Sequence, residues 1–329
     1  MADCKDVVIY GETRDGKISA ITKELLGGAR KLADDLGEAL IVMFIGGGIT
    51  EAAREAMSLG ADRVYVVDHP ELAFYRTELY MSAASTIIEK QNPRFLIFGH
   101  TDVGADLGPR LAFNLNTTIA TDCIELSVEP DTKSLLRTKP VYGGLALATY
   151  TSEGFPQMAT VRSKSLTPAE HMERNGEFIS VDWNYDSSAS RISVLEKVVE
   201  AVSGVKLEDA EVIVSGGRGI GDSEGFKQLE EAARFLKGAL GASRVACDNG
   251  WVPTTIQVGI TGKIVAPRLY LAVGISGASQ HMSGCSRSKT IIAINRDPAA
   301  AIFKQAQFGV VGDWKVVLPI FIEKLKSLE

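Results

Sequence analysis

A chain of 329 residues is longer than one average hydrophobic core and predicts about two domains. With 45% hydrophobic and 23% charged residues and a net charge of −6, it has the balance of a soluble globular protein without the basic stripe a nucleic-acid surface needs. No apolar run approaches the ~20 residues that cross a bilayer, so direct membrane insertion is not expected. The opening residues, MADCKDVVIY, place acidic side chains before a short strand, unlike a secretory leader. Cys4, Cys123, Cys247 and Cys285 are scattered, without CxxC spacing, and His69, His100, His171 and His281 show no paired spacing. That disfavours a metal or iron–sulfur site and suits a reducing cytoplasm, the expected location.

In chain order, residues 7–10 read as a short apolar strand. Residues 19–36 repeat apolar side chains near a 3.6 period (Ile21, Leu25, Leu26, Ala29, Leu32, Ala33, Leu36) and stop at Gly37, the pattern of a helix with a glycine just past its end. A strand over 40–45 runs into Gly46-Gly47-Gly48, and Thr50 is expected to cap a helix through Leu59. A strand over 63–67, a long helix over 72–90, a strand over 95–98 and a helix from His100-Thr101-Asp102 to about Asn114 follow. Repeated β–α units of this kind predict a mostly parallel sheet covered on both faces. From 122 to 161 the pattern changes: runs over 134–141, 145–150 and 157–161, separated by Gly143-Gly144 and Gly154-Phe155-Pro156, read as antiparallel strands joined by hairpins.

Polar residues 182–190 close the first domain, and residues 191–210, with Val194, Leu195 and Val198, read as a connecting strand or helix. The expected domains are 1–205 and 206–329. In the second, a strand over 211–215 leads into Gly216-Gly217-Arg218-Gly219, then an amphipathic helix from Phe226 to Leu240 that ends at Gly241, then a strand over 245–247. A second glycine corner is Gln257-Val258-Gly259-Ile260-Thr261-Gly262-Lys263. A third lies in LYLAVGISGASQHMSG, where a strand over 269–273 meets Gly274-Ile275-Ser276-Gly277 and a helix start carrying Gln280 and His281; Thr290 to Asn295 follow as another strand. A strand, a bare glycine turn and a helix start present backbone N–H groups to a phosphate. Three such corners within roughly eighty residues, one with Arg218, one with Lys263 and one with His281, point to a nucleotide pocket at the strand C-termini. None of the three corners spells GxGxxG, GxxxxGK[ST] or GxSxG, and no nucleophile–base pair is evident, so the site is read as holding a cofactor rather than converting a substrate.

SGGRG, GASR, QVGITGKIVAP and LYLAVGISGASQHMSG, followed by AIN, occur in the order and spacing of electron transfer flavoprotein alpha subunits, and the whole second domain resembles that family. The first domain agrees in layout, including the ELLGGARKLAD helix. The resemblance implies an α/β protein with an N-terminal HUP-like, nucleotide-binding-like sheet extended by antiparallel strands, and a DHS-like C-terminal parallel sheet binding FAD. It implies a heterodimer with a beta subunit that completes the FAD pocket. The chain would then be an electron carrier that accepts electrons from acyl-CoA or related dehydrogenases and passes them to a membrane quinone oxidoreductase or another acceptor. Family contacts fall on Arg218, Ser243, Arg244, Gln257, Val258, Gly259, Ile260, Thr261, Ser276, Gly277, Ala278, Ser279, Gln280, His281, Asn295 and Asp313. By that analogy Thr261 approaches the flavin N5, His281 the C2 carbonyl side and Arg244 the ring, with Asn295 and Asp313 toward the ADP half and the glycine corners at the pyrophosphate. No catalytic residue and no metal are implied, and the N-terminal glycine loop and the 100–102 segment receive no cofactor.

Physical reasoning supports the arginine's role: reduction places negative charge on the ring edge, and a cation there favours the reduced form. A unit charge pair near 4 Å is worth roughly 4 kcal/mol at an effective dielectric of about 20. One departure stands out: Ile260 replaces the glutamine of many relatives and cannot hydrogen-bond the ring, a change expected of a subgroup that splits electron pairs between two FADs. Taken singly, these residues have plainer readings. Arg218 and Lys263 fit solvated loop residues, His281 a helix-terminal histidine, and Thr261, Asn295 and Asp313 turn or loop caps; Cys247 and Cys285 fit packing. Two rival functions are an NAD-dependent enzyme on a related fold and a nucleotide-sensing module built on the first domain.

Overall fold

In a computed structural model the chain forms two compact units, Met1–Lys197 and Val198–Glu329. The structure describes residues 4–14, 16–142, 146–172, 174, 176–185, 190–196 and 205–327. The middle of the expected connecting element, residues 197–204 with Val198, lies outside them; residues 191–196 carry no regular element.

The first unit begins with β1 (Lys5–Gly11), a short hairpin of β2 (Thr13–Arg14) and β3 (Lys17–Ile18), and α1 (Ala20–Leu36). The ends of α1 follow from chemistry legible in the sequence. Ser19 accepts a hydrogen bond from the Thr22 N–H, and Gly37 closes the helix at φ 69°. Then come β4 (Leu40–Gly46), α2 (Thr50–Arg54), β5 (Arg63–Asp68), α3 (Thr77–Gln91), β6 (Pro93–Gly99) and α4 (Asp102–Asn114). The remaining strands are β7 (Ile119–Cys123), β8 (Glu125–Val128), β9 (Leu135–Val141), β10 (Ala146–Tyr150), β11 (Gln157–Val161) and β12 (Glu177–Ser180). Seven of the twelve strands make one parallel sheet in the order β12-β5-β4-β1-β6-β11-β7, and β10-β9-β8 form a separate antiparallel sheet. Alternation along β1 sends Val7 and Ile9 to the face covered by α1 and Val8 and Tyr10 to the face covered by α3 and α4, and all four are buried. That two-sided burial is why the strands read as continuous apolar runs.

Three elements of the first unit differ from the pattern expected of the sequence. Residues 157–161 are not part of the antiparallel extension: β11 lies between β6 and β7, parallel to both and wholly buried. Its apolar run fits an interior strand, and local hairpin signals carry no information about a partner far away in the chain. The helix expected from Thr50 to Leu59 stops at Arg54, with Ile49 at its N-cap. Thr50 does not cap it because its hydroxyl and the N–H groups of Gly48, Ile49 and Thr50 all donate to the Asp68 carboxylate. The long helix begins at Thr77 rather than 72, because a short 3-10 turn over Pro70–Leu72 buries Leu72 first.

The second unit contains β13 (Val212–Gly216), α5 (Ser223–Phe235), β14 (Ala239–Ala242), α6 (Arg244–Asp248), β15 (Leu269–Val273), α7 (Ser279–Cys285), β16 (Thr290–Asn295), β17 (Phe308–Val311) and α8 (Trp314–Lys326). All five strands are parallel, in the order β14-β13-β15-β16-β17. Helix α5 ends before Lys237, which takes the left-handed conformation at φ 53°. Gly241 therefore lies inside β14, and the strand expected over 245–247 is helix α6. The sequence rhythm is right there, but the element is displaced by one.

Candidate functional site

The chain enters the second sheet at β13, steps outward to β14, then returns to β15 on the other side of β13. Connections leaving in opposite directions hold a crevice open at the strand C-termini, the usual ligand position in such folds. A cavity of about 670 Å³ lies there, within the range of cofactor pockets.

Five chain segments wall it. The corner after β13 carries Gly217-Arg218-Gly219, and the corner after β15 carries Gly274. Gly217 N–H donates to the Val273 carbonyl at 2.9 Å and Gly219 N–H to the Gly274 carbonyl at 3.0 Å, so the two corners are bonded to each other. Gly274 has φ 62°, and a Cβ there would stand 2.9 Å from the Gly219 backbone, so only glycine allows this approach. Arg218 is exposed between the two glycines and lines the cavity.

Ser243 is the extended residue before α6 and is tied by its N–H to the Gly216 carbonyl at 2.9 Å. Arg244 opens α6 with its side chain largely exposed, and its Nε lies 3.3 Å from Asp248 Oδ2. The third wall is the loop 257–261. It follows a 3-10 turn over Thr254–Ile256, not a strand, and is anchored by Ile260 N–H donating to the Gln280 carbonyl at 2.9 Å. Gln257 is buried, and its Nε2 donates to Thr261 Oγ1 at 3.0 Å. Ile260 is exposed at the wall.

The fourth wall is Ser276, Ala278, Gln280 and His281. His281 is 7% exposed. Its Nε2 is 3.0 Å from the hydroxyl of the fully buried Tyr270, and its Nδ1 is buried without a well-formed hydrogen bond. Burial, only partly offset by the nearby Val258 backbone, pushes its pKa down to about 4. At neutral pH the ring is therefore a neutral hydrogen-bonding group and not a cation. Burial likewise pushes the Cys285 thiol up to about 12 and raises Cys247, so both thiols pack rather than react. Asn295 lines the cavity, but its side chain is already engaged: Nδ2 donates to the Ile275 carbonyl at 2.8 Å and Oδ1 accepts from Asp297 N–H at 3.0 Å.

Of the sixteen residues expected at the site, thirteen line this one cavity; Gly277, Ser279 and Asp313 do not. Gly277, at φ 83°, packs against the Ile302 backbone and shapes the loop from behind. Ser279 turns its hydroxyl to Gln280 Oε1. Asp313 caps α8 through Lys315 N–H at 3.0 Å and pairs with Arg296 at 2.8 Å. Val245, Ile275, Asp297 and Ala300 line the cavity without having been singled out. Val245 was missed because its segment reads as a strand, and Asp297 and Ala300 because nothing local marks a loop that only the fold brings back.

The residues present fit a flavin dinucleotide: glycine corners leave backbone accessible, two arginines supply positive charge, and a buried histidine at the wall has a nitrogen without a well-formed hydrogen bond. In the first unit, the matching glycine loop donates its N–H groups to Asp68. Among the described residues no cluster of His, Cys, Asp and Glu could hold a metal, and no helix is long and apolar enough to cross a membrane.

Residues 7–184 match the family model of the electron transfer flavoprotein domain, and residues 206–286 that of the electron transfer flavoprotein FAD-binding domain. Over its full length, and that of the relative, the chain is 44% identical to the electron transfer flavoprotein subunit alpha of Thermoanaerobacterium thermosaccharolyticum. It is 40% identical to the subunit alpha of Bacillus subtilis, with 98% of each chain covered. It is 35% identical to subunit LctC of the lactate dehydrogenase (NAD(+),ferredoxin) of Acetobacterium woodii, with 99% of this chain and 78% of the relative covered.

Proposed function

The chain belongs to the electron transfer flavoprotein family as an alpha subunit, and from that premise we propose that the cavity beyond β13 and β15 holds FAD with the residues described above. FAD is the cofactor of this family's C-terminal domain, and alpha subunits pair with a beta subunit. When bound, FAD supplies the redox chemistry, taking up and releasing electrons. This chain's residues bind it, orient it and set its energetics.

The observation that carries the reading is the convergence of Arg218, Arg244, Thr261 and His281 on one cavity at the topological switch point. Arg244 supplies the fixed positive charge of the pair placed by analogy at the ring, because His281 is neutral. Thr261 offers a hydroxyl to a ring nitrogen. The bonded glycine corners give the pyrophosphate access to backbone. Asn295 and Asp313, assigned by analogy to the ligand's ADP half, also brace their loops through hydrogen bonds within the protein.

The partners we assign are the beta subunit, acyl-CoA or related dehydrogenases as donors, and a membrane quinone oxidoreductase or another acceptor, with the complex in the cytoplasm. Four free cysteines support that compartment. A second reading, that the complex splits electron pairs, is favoured by Ile260 exposed at the cavity wall and by the similarity to a subunit whose complex is named for both NAD(+) and ferredoxin. The absorption spectrum of the purified heterodimer tests both. Flavin bands at one FAD per heterodimer are expected for simple relay and two for pair splitting; a colourless complex that binds NAD or ATP refutes the assignment.

A further inference from the structure

We propose that Gln257 is a positioning residue that makes the Thr261 hydroxyl a one-way donor into the cavity, selecting a ligand whose facing atom is a ring nitrogen acceptor rather than an N–H. The inference deepens the FAD reading above and rests on it.

Gln257 is held on both sides. Its N–H donates to the Thr254 carbonyl at 3.0 Å, and its carbonyl accepts from Lys263 N–H at 2.7 Å. The residue also forms an isolated parallel bridge with Ala242. Gly262 lies directly against it, where a Cβ would come within 2.4 Å of the Gln257 carbonyl oxygen and 2.9 Å of its Cγ. The side chain is buried, and its Nε2 lies 3.0 Å from Thr261 Oγ1.

An amide nitrogen only donates, whereas a hydroxyl has one proton and two lone pairs. The bond from Gln257 therefore uses a lone pair of Thr261, and the hydroxyl proton has to point elsewhere. Thr261 is exposed at the cavity wall, so that proton is available to a ligand acceptor. Without Gln257 the hydroxyl would present a proton or a lone pair with equal ease. Ring nitrogens become stronger acceptors as a flavin takes up an electron, so a directed donor raises the first reduction potential as well as orienting the ring.

Gln257 could instead merely brace the turn, and a double-mutant cycle on the FAD-loaded heterodimer separates the two roles. Gln257→Glu keeps size and packing but replaces the donor with an acceptor, which turns the Thr261 proton inward. The added charge acts both with Thr261 in place and in the Thr261→Val background, so it cancels from the coupling. The first one-electron potential is read by stepwise reductive titration with absorption detection. Gln257→Glu is expected to lower that potential by about tenfold more, as an equilibrium ratio, with Thr261 in place than in the Thr261→Val background, the scale of one hydrogen bond to a charged group. Equal effects in the two backgrounds overturn the proposal. Gln257→Met, uncharged and similar in length, should show coupling of the same sign; if both Gln257 variants lose FAD, Gln257 braces the pocket and the proposal is likewise overturned. A wild-type heterodimer without flavin would instead refute the FAD reading itself.

Discussion

His281 ties the stability of the C-terminal unit to pH in a way that can be worked from its surroundings. The ring is buried, bonded through Nε2 to Tyr270, and its Nδ1 has no well-formed partner. Protonation would bury a charge that no carboxylate among its described contacts offsets. Burial therefore lowers the pKa from 6.5 to about 4 in the folded chain. In the unfolded chain the ring titrates at its ordinary value, so between those two pH values the unfolded state binds more protons and stability rises with pH. His281's contribution is fully present above pH 6.5 and is lost as pH falls toward 4. At about 1.4 kcal/mol per pH unit the loss is about 3 kcal/mol. The perturbation is His281→Phe, measured by urea unfolding of the flavin-free protein at pH 7.5, 6, 5 and 4.5. Other titrating groups act in both proteins, so the difference in stability isolates the histidine. Wild type should lose about 3 kcal/mol relative to the variant across that range, whatever offset the substitution introduces at pH 7.5. A difference that stays constant with pH would show that His281 ionises freely, and the neutral role assigned to it would fall.

Three other outcomes are expected. Gly277→Ala puts a Cβ 2.2 Å from the Ile302 nitrogen on a residue at φ 83°, so it should cost about 2–4 kcal/mol and weaken FAD binding; an unchanged melting temperature and FAD affinity would refute the close-approach argument. Glu12, whose carboxylate accepts from Thr101 Oγ1 at 2.7 Å, is pushed up from 4.5 to about 7 by burial. Its folded-state pKa is raised, so its contribution is present below 4.5 and lost as pH rises through 7. Glu12→Gln should therefore gain on the order of 2 kcal/mol over wild type at pH 8 relative to pH 4, and an equal difference at both pH values in chemical denaturation would refute this. Arg244→Ala should lower the first reduction potential of the bound flavin by on the order of tens of millivolts, a modest figure because the side chain is exposed and shares its charge with Asp248; spectroelectrochemistry showing no change would remove Arg244 from the ring.

What the sequence determined by itself was local. Ser19 and Gly37 mark both ends of α1 because capping is a matter of a few adjacent dihedrals and one hydrogen bond. The apolar runs of β1, β4, β6, β13, β15 and β16 announce strands buried on both faces, and the glycine corners with Arg218, Arg244, Thr261 and His281 were legible as a cofactor site because each motif is contiguous. The tertiary structure decided whatever depends on a distant partner. It placed β11 as an interior parallel strand, because pairing with β6 and β7 is settled by burial and not by hairpin chemistry. It stopped α2 at Arg54 while Asp68, eighteen residues after Thr50, took the loop's donors. It turned residues 244–248 into a helix by ending α5 before Lys237. It also gave the Asn295 and Asp313 side chains partners within the protein and made His281 neutral. A side chain's charge and free hydrogen-bonding capacity depend on what the fold packs against it, and no stretch of sequence around the residue records that.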